Sequence, residues 1–255
     1  MKKQFIFLSA FFLFTTVAFA QLKPVEYKDG TQALSGFASN PQKALSSKAG
    51  ILILPAWMGI DDHAKDTATR LAQLGYYTFV ADIYGVDKRP KNKDEAGKSA
   101  TYYKNNIADY QRRIQLGLDQ LVKQGANLDD IVVMGYCFGG TGAVEAARAN
   151  MKVKGVVSFH GGLGRDESRT IDFIKPKVLI LHGADDFYVP ETEIKNFQNE
   201  MRSAKADWQM VYYANSVHAF TDINAGSDNS KGAAYNENAD KRSWNAMLDF
   251  LKEVM

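Results

Sequence analysis

Ile131-Val132-Val133-Met134-Gly135-Tyr136-Cys137-Phe138-Gly139-Gly140 is the stretch on which the fold turns. Its first six residues make a short, nearly continuous apolar run, the pattern of a strand buried on both faces of a sheet. The Ala-rich segment 139–149 that follows has the composition of a helix. Strand passes directly into helix through Gly-x-Cys-x-Gly. A residue in the middle of so tight a turn is held in a strained backbone at the end of the strand, and its neighbours must be small because strand and helix approach closely. The amino terminus of the helix favours negative charge, which suits a thiolate and an oxyanion alike. Cys137 is therefore a candidate nucleophile and the Phe138 amide a candidate oxyanion donor. The alternative is a buried, inert thiol at a strand end, the ordinary place for an unpaired cysteine.

Outward from this turn the chain alternates between strands and helices. Residues 25–28 and 34–37 flank Asp29-Gly30, a good turn pair, and predict a β-hairpin. A polar connection, 40–48, leads to a buried strand at 50–54. Ala64, Ala68, Leu71 and Ala72 give 62–74 helical spacing, with Gly75 as its stop. A strand follows at 77–81. Ile107, Tyr110, Ile114, Leu118 and Leu121 predict one long helix over 102–122, ended by Gly125. Beyond the central turn come strands at 153–159 and 177–181, a helix at 191–203, a strand at 208–213 and a closing helix at 244–254. This alternation predicts an α/β fold with a mainly parallel central sheet and helices on both faces. With the strand–turn–helix at Cys137, the architecture is that of an α/β-hydrolase. Chemistry in such sheets gathers at the carboxyl ends of strands, here the loops 55–63, 82–100, 136–140, 160–176, 182–190 and 214–234. No linker divides the chain, and 21–255 reads as one domain.

In this architecture an acid and then a histidine follow the nucleophile in chain order. The strand at 177–181 leads into His182-Gly183-Ala184-Asp185-Asp186-Phe187-Tyr188-Val189-Pro190, and the strand at 208–213 into Ala214-Asn215-Ser216-Val217-His218. His218 is the expected base and later acid, with Asp186 orienting its ring; Asp185 is the rival acid or a turn residue. The chain has four histidines. His63 lies near a helix start, where a solvated or capping role is expected. His160 ends a strand before Gly161-Gly162 and is placed to line the pocket. His182 ends a buried strand, where a structural imidazole is expected. No metal-ligand spacing joins them.

These pieces resemble the dienelactone hydrolase family from about Gly50 to the carboxyl terminus. The resemblance rests on Gly135-Tyr136-Cys137-Phe138-Gly139-Gly140, on Asp186-x-x-Val189-Pro190 and on His218-x-Phe220, with Ala81-Asp82-Ile83-Tyr84 similar to a family strand end. It implies that Asp186 rather than Asp185 is the acid, and that the Trp57 amide, in Pro55-Ala56-Trp57-Met58-Gly59, is the second oxyanion donor. Two positions depart from the family pattern. Relatives carry a glutamate where Ala56 stands, so thiol activation would rest more on His218 and the helix terminus. Relatives that take an anionic dienelactone carry an arginine where Asp222 stands, and an acid there would repel a carboxylate substrate. Tyr84, His160 and Tyr188 are the expected pocket residues, with 226–234 a rim or a plain surface loop.

The remaining sequence bounds the function. Lys2 and Lys3, an apolar run from Phe5 to Val17, and Ala18-Phe19-Ala20 read as a secretory signal over 1–20, cleaved to leave Gln21; a retained anchor is the alternative. Export implies a periplasmic or secreted protein. The 31 basic and 29 acidic residues include Lys2 and Lys3, so the mature chain carries 29 of each and no net charge. It has no basic stripe to suggest nucleic acid, and no membrane anchor is expected after cleavage. A single cysteine excludes an internal disulfide and an internal resolving thiol. The expectation is a cysteine-dependent hydrolase of small neutral esters or lactones that needs no cofactor. A non-catalytic binding protein on the same scaffold and a redox-active thiol protein are the other readings.

Overall fold

The computed structural model describes residues 22–255, and the export segment read at 1–20 lies outside the described residues. Leu22–Asp29 (β1) and Gln32–Ser39 (β2) form the expected antiparallel hairpin. Gly50–Leu54 (β3), Tyr77–Val80 (β4), Ile131–Tyr136 (β5), Gly155–Phe159 (β6), Lys177–Gly183 (β7) and Trp208–Tyr213 (β8) continue the sheet in parallel, in the order β1-β2-β4-β3-β5-β6-β7-β8. The hairpin joins through antiparallel pairing of β2 with β4. This is the mainly parallel α/β sheet that the strand–helix alternation predicts.

The helices are Asp62–Gln73 (α1), Lys93–Asn105 (α2), Ile107–Lys123 (α3), Phe138–Arg148 (α4), Glu191–Ser203 (α5) and Glu237–Val254 (α6). Because successive strand side chains point to opposite faces, the central strands feed two cores at once. Leu52, Leu54 and Val133 pack with Ile114 and Leu118 of α3 and Ala143 of α4. Ile51, Ile53, Val132 and Met134 pack with Ala64 and Leu71 of α1 and Met247 and Leu251 of α6. Burial of each large aliphatic chain contributes about 1.5–3 kcal/mol. Among the described residues no helix is long and apolar enough to cross a membrane.

The long helix expected over 102–122 is two helices. Asn106 (φ −118°, ψ 66°) leaves the helical region, ending α2 and opening α3. Its backbone N–H and its side-chain amide both donate to Tyr102 O at 2.8 Å. The apolar stripe from Ile107 belongs to α3, whereas Tyr102 and Tyr103 belong to α2. That helix buries only Ala96, Ala100 and Tyr103, so its polar first half carries little periodic signal and falls in the stretch expected to be loop. The closing helix starts at Glu237, seven residues before its first large apolar residue. Asn236 caps it by accepting the Ala239 N–H at 3.1 Å.

Candidate active site

Cys137 stands between β5 and α4 with φ +54° and ψ −115°, a conformation worth about 1–3 kcal/mol of local strain in a residue other than glycine. Its neighbours hold it there. The Cys137 N–H donates to Phe159 O at 3.0 Å, and Cys137 O accepts the Thr141 N–H at 3.1 Å. A Cβ on Gly135 would overlap the Gly139 carbonyl, and one on Gly139 would overlap the Leu54 carbonyl. Small residues are therefore obligatory where strand and helix meet.

His218 lies in the loop after β8 and Asp186 in the loop after β7. The His218 Nδ1–H donates to Asp186 Oδ2 at 2.8 Å. The Asp186 carboxylate is fully buried, and its Oδ1 accepts the Tyr188 N–H at 3.0 Å. Asp185 is exposed and spends its backbone N–H on Ser216 O. Of the two adjacent acids, Asp186 alone is hydrogen-bonded to His218. Burial alone would lower the imidazole pKa, but hydrogen bonds to Asp186 and Cys137, and their charge, outweigh it and raise it to about 10. Burial alone would raise the thiol. Hydrogen bonding and charge from His218, then the Phe138 N–H and the Lys104 ammonium, overcome it and lower the thiol pKa. Both shifts favour the proton on the ring and the negative charge on sulfur.

Around this pair, Phe138 is sandwiched between two tyrosine rings: Tyr110 stacks at 4.6 Å and Tyr84 at 5.7 Å between centroids. Tyr110 Oη–H also donates to Phe138 O at 2.8 Å, fixing the turn from below. Tyr84 is buried and donates to Trp57 O at 2.8 Å, which holds the segment after β3 beside the helix terminus. Among the described residues no backbone carbonyl accepts the Trp57 N–H. Tyr188 sets its ring edge-on to His218 at 5.4 Å and is 57 % exposed, so it stands at the mouth. The 226–234 segment packs on it: His218 O accepts the Ala234 N–H at 3.1 Å, and Tyr188 Oη lies 2.9 Å from where a Gly232 Cβ would be.

His160 departs from its expected place. It is only 3 % exposed and lies behind His218, its ring 5.2 Å from the His218 ring, with Nε2 2.9 Å from Thr221 Oγ1. Its backbone leaves strand geometry with a positive φ of +40°. His182 is buried at the end of β7 against Tyr212, as a structural imidazole. His63 does not cap α1, a role Asp61 takes; it is half-buried and packs at 4.4 Å on Tyr136. Asp222 turns its carboxylate onto the Asn224 N–H at 2.9 Å, capping a short turn of helix. Asp82 is a structural acid that accepts from Ser35 N, Gly85 N and Arg89.

Three neighbours had no sequence signal. Tyr103 of α2 packs on both Tyr84 and Phe138. Lys104 has no carboxylate within ion-pair distance among the described residues, and its Nζ lies 3.9 Å from where a Gly162 Cβ would be. Thr221 reaches His160 across 61 residues of sequence. Among the described residues no three His, Cys, Asp or Glu side chains are grouped to hold a metal ion.

The model of the dienelactone hydrolase family matches residues 34–255. Among solved structures, the dienelactone hydrolase-like promiscuous phosphotriesterase P91 from metagenomic libraries is 34% identical, covering 93% of this chain and 99% of its own, with a TM-score of 0.87. A structure titled m3DLH is 31% identical, covering 92% of this chain and 98% of its own, with a TM-score of 0.86. A Yersinia pestis protein with the provisional name carboxymethylenebutenolidase is 23% identical over 233 residues, 86% of this chain and 84% of its own.

Proposed function

The chain belongs to the dienelactone hydrolase family and is a carboxylic ester or lactone hydrolase, and we propose that it cleaves small neutral substrates with Cys137 as nucleophile, His218 as acid and base, and Asp186 as the orienting acid. One observation carries this reading: the fully buried Asp186 carboxylate accepts the His218 Nδ1–H at 2.8 Å, and His218 and Cys137 shift each other's pKa in opposite directions. A thiolate poised next to a protonated imidazole is the reactant state that nucleophilic catalysis needs.

The steps follow from which atom holds the proton. Sulfur attacks the carbonyl carbon, and the carbonyl electron pair moves to oxygen. The Phe138 N–H, which faces the sulfur at the helix terminus, and the Trp57 N–H are the donors proposed for that oxygen. Collapse expels the alkoxide, which takes the His218 proton, leaving an acyl-thioester on Cys137. Neutral His218 then removes a proton from water. The hydroxide displaces the thiolate, the acid leaves, and the imidazolium is restored. Asp186 keeps the ring in the tautomer that presents Nε2 to this chemistry. Neither step calls for a cofactor.

A neutral substrate is favoured because Asp222, which caps a short turn, stands where anion-binding relatives carry arginine, so no cation meets a carboxylate at that position. The test is hydrolysis of p-nitrophenyl acetate by the purified mature chain beside Cys137→Ala and Cys137→Ser. Turnover lost in the alanine variant, with circular dichroism unchanged, supports the assignment and justifies a lactone screen. Equal, substantial turnover in wild type and Cys137→Ala removes Cys137 as nucleophile.

A further inference from the structure

His160 and Thr221 take no part in the steps above, yet they occupy the space immediately behind the general base. His160 directly follows β6, the neighbour of the strand that leads into Cys137, and its N–H donates to Leu181 O at 2.9 Å. The residue before it, Phe159, accepts the Cys137 N–H through its carbonyl. The His160 backbone is therefore tied on one side to the nucleophile's strand and on the other to β7. Its side chain makes a 2.9 Å hydrogen bond to Thr221, three residues after His218 in the same loop. The ring also meets His218 at 5.2 Å and Phe220 at 5.1 Å, both edge-on. That loop needs holding, since Asn215 and Ala219 both have positive φ, +56° and +57°.

We infer that the His160–Thr221 pair is a positioning device that fixes the His218 imidazole against Cys137 by tying the histidine loop to the strand beside the nucleophile. This inference rests on the triad reading above. Beside the pair, His218 is held by Asp186 and Tyr188, both from a different loop, and by the backbone bridge to Ala233 and Ala234.

The protonation of His160 fits this task. Its Nδ1 is buried without a hydrogen-bond partner. A buried N–H left unpaired is the costlier orphan, so the proton belongs on Nε2, donated to Thr221 Oγ1, with Nδ1 a bare lone pair. The titratable groups that bear on the ring are His218, His63 and His182; burial first, and then each of these, opposes a second charge there. No acid is among them. His160 therefore stays neutral while its neighbour carries the imidazolium, and it supports that ring without competing for its proton.

The test uses Thr221→Val, which keeps the shape and removes the hydroxyl, with Thr221→Ser to restore it and His160→Phe to remove the other partner while keeping a ring. Each is assayed for kcat and KM on p-nitrophenyl acetate, for the pH profile of Cys137 alkylation by iodoacetamide, and for thermal melting. Misplacement of a catalytic group by a fraction of an ångström lowers kcat by roughly tenfold to a hundredfold. The expected result for Thr221→Val and His160→Phe is such a fall with KM within about twofold, and alkylation displaced to higher pH as the imidazolium leaves the thiolate. Thr221→Ser regains wild-type behaviour. Wild-type kcat and alkylation profile in both disruptive variants would overturn the inference. So would a loss of activity that tracks lower melting alone and leaves the alkylation profile unmoved. Cys137→Ala run alongside separates the two failures: full turnover in that variant sinks the triad reading itself, whatever Thr221 does.

Discussion

Cys137 and His218 move each other's ionisation in opposite directions, and the signs define a pH window. The His218 pKa is raised from 6.5 to about 10, so the stabilisation held in its charge is complete below 6.5 and lost as pH rises through about 10. The thiol pKa is lowered from 9.0, so its contribution is complete above 9.0 and lost as pH falls through the depressed value. The ion pair exists between those limits. Iodoacetamide should therefore alkylate Cys137 at a rate already levelling below pH 9, and turnover of an alkyl ester such as ethyl acetate should fall above about pH 10, where the ring can no longer protonate the departing alkoxide. Replacing Asp186 with asparagine removes the largest contribution that raises the imidazole, and the alkylation profile should move toward that of an ordinary thiol. A wild-type rate still climbing through pH 9 would show that no such pair forms. Cys137 was legible as the nucleophile candidate because its neighbours are constrained locally: three glycines and a buried strand leave one geometry. His160 was misplaced for the opposite reason. Its partner lies 61 residues away, and no spacing in the sequence announces that contact.

At the scale of elements, the same distinction separates what was readable from what was not. β3 and β5 were read to the residue because every side chain in them is buried, so the apolar run and the strand have the same ends. The break at Asn106 and the polar beginnings of α2 and α6 were not readable, since helix there is set by capping and by a few small buried residues rather than by an apolar stripe. The missed α2 matters for the site: Tyr103 braces Tyr84 and Phe138, and Gly97 brings the helix over Trp57, 3.9 Å from where its Cβ would be. The strand-to-helix turn makes its own prediction. A Cβ at Gly139 meets the Leu54 carbonyl and lies 2.7 Å from Pro55 O, both backbone atoms that cannot step aside. Gly139→Ala should cost about 3 kcal/mol or more. For a chain of this length that is a fall of roughly 10 °C in Tm, readable by circular dichroism. The segment displaced leads directly to Trp57, so the surviving folded fraction should also turn over ester more slowly. A wild-type Tm would mean that the turn is looser than its contacts require.

Across the whole molecule, two features join distant parts. The first is the boundary at Gln21: we propose that the chain is exported and cleaved there, and amino-terminal sequencing of the protein recovered outside the cytoplasm should begin Gln-Leu-Lys-Pro. A start at Met1 would remove that proposal. The second is the charge network that fastens the 160–176 loop to two helices. Arg148 of α4 has no exposed side-chain surface; it donates to Glu145 and Glu200 and to the carbonyls of Leu163 and Gly164. Arg169 reaches back from the loop to Glu145, and Arg165 to Glu200. Glu193 of α5 accepts the Leu163 N–H at 2.6 Å. The loop so anchored begins at Gly161 and Gly162, which pack against the amino terminus of α4, where Cys137 sits. Removing the central arginine leaves two buried carboxylates with one cation each, at the loop's edge. Breaking one partner of a buried charge cluster costs about 3–5 kcal/mol, because the charges left behind stay desolvated. Arg148→Met should lower Tm by roughly 10 °C or more. The pH dependence gives the sharper readout. Burial alone would raise the Glu145 pKa, but Arg169 and Arg148 together lower it, so its stabilising contribution holds above about the ordinary carboxylate range and is lost as pH falls through the depressed value. The methionine variant weakens that depression, so its Tm should start to fall at a higher pH than the wild type's on acidification. Parallel melting curves from pH 7 to pH 3 would mean that Arg148 acts by packing alone.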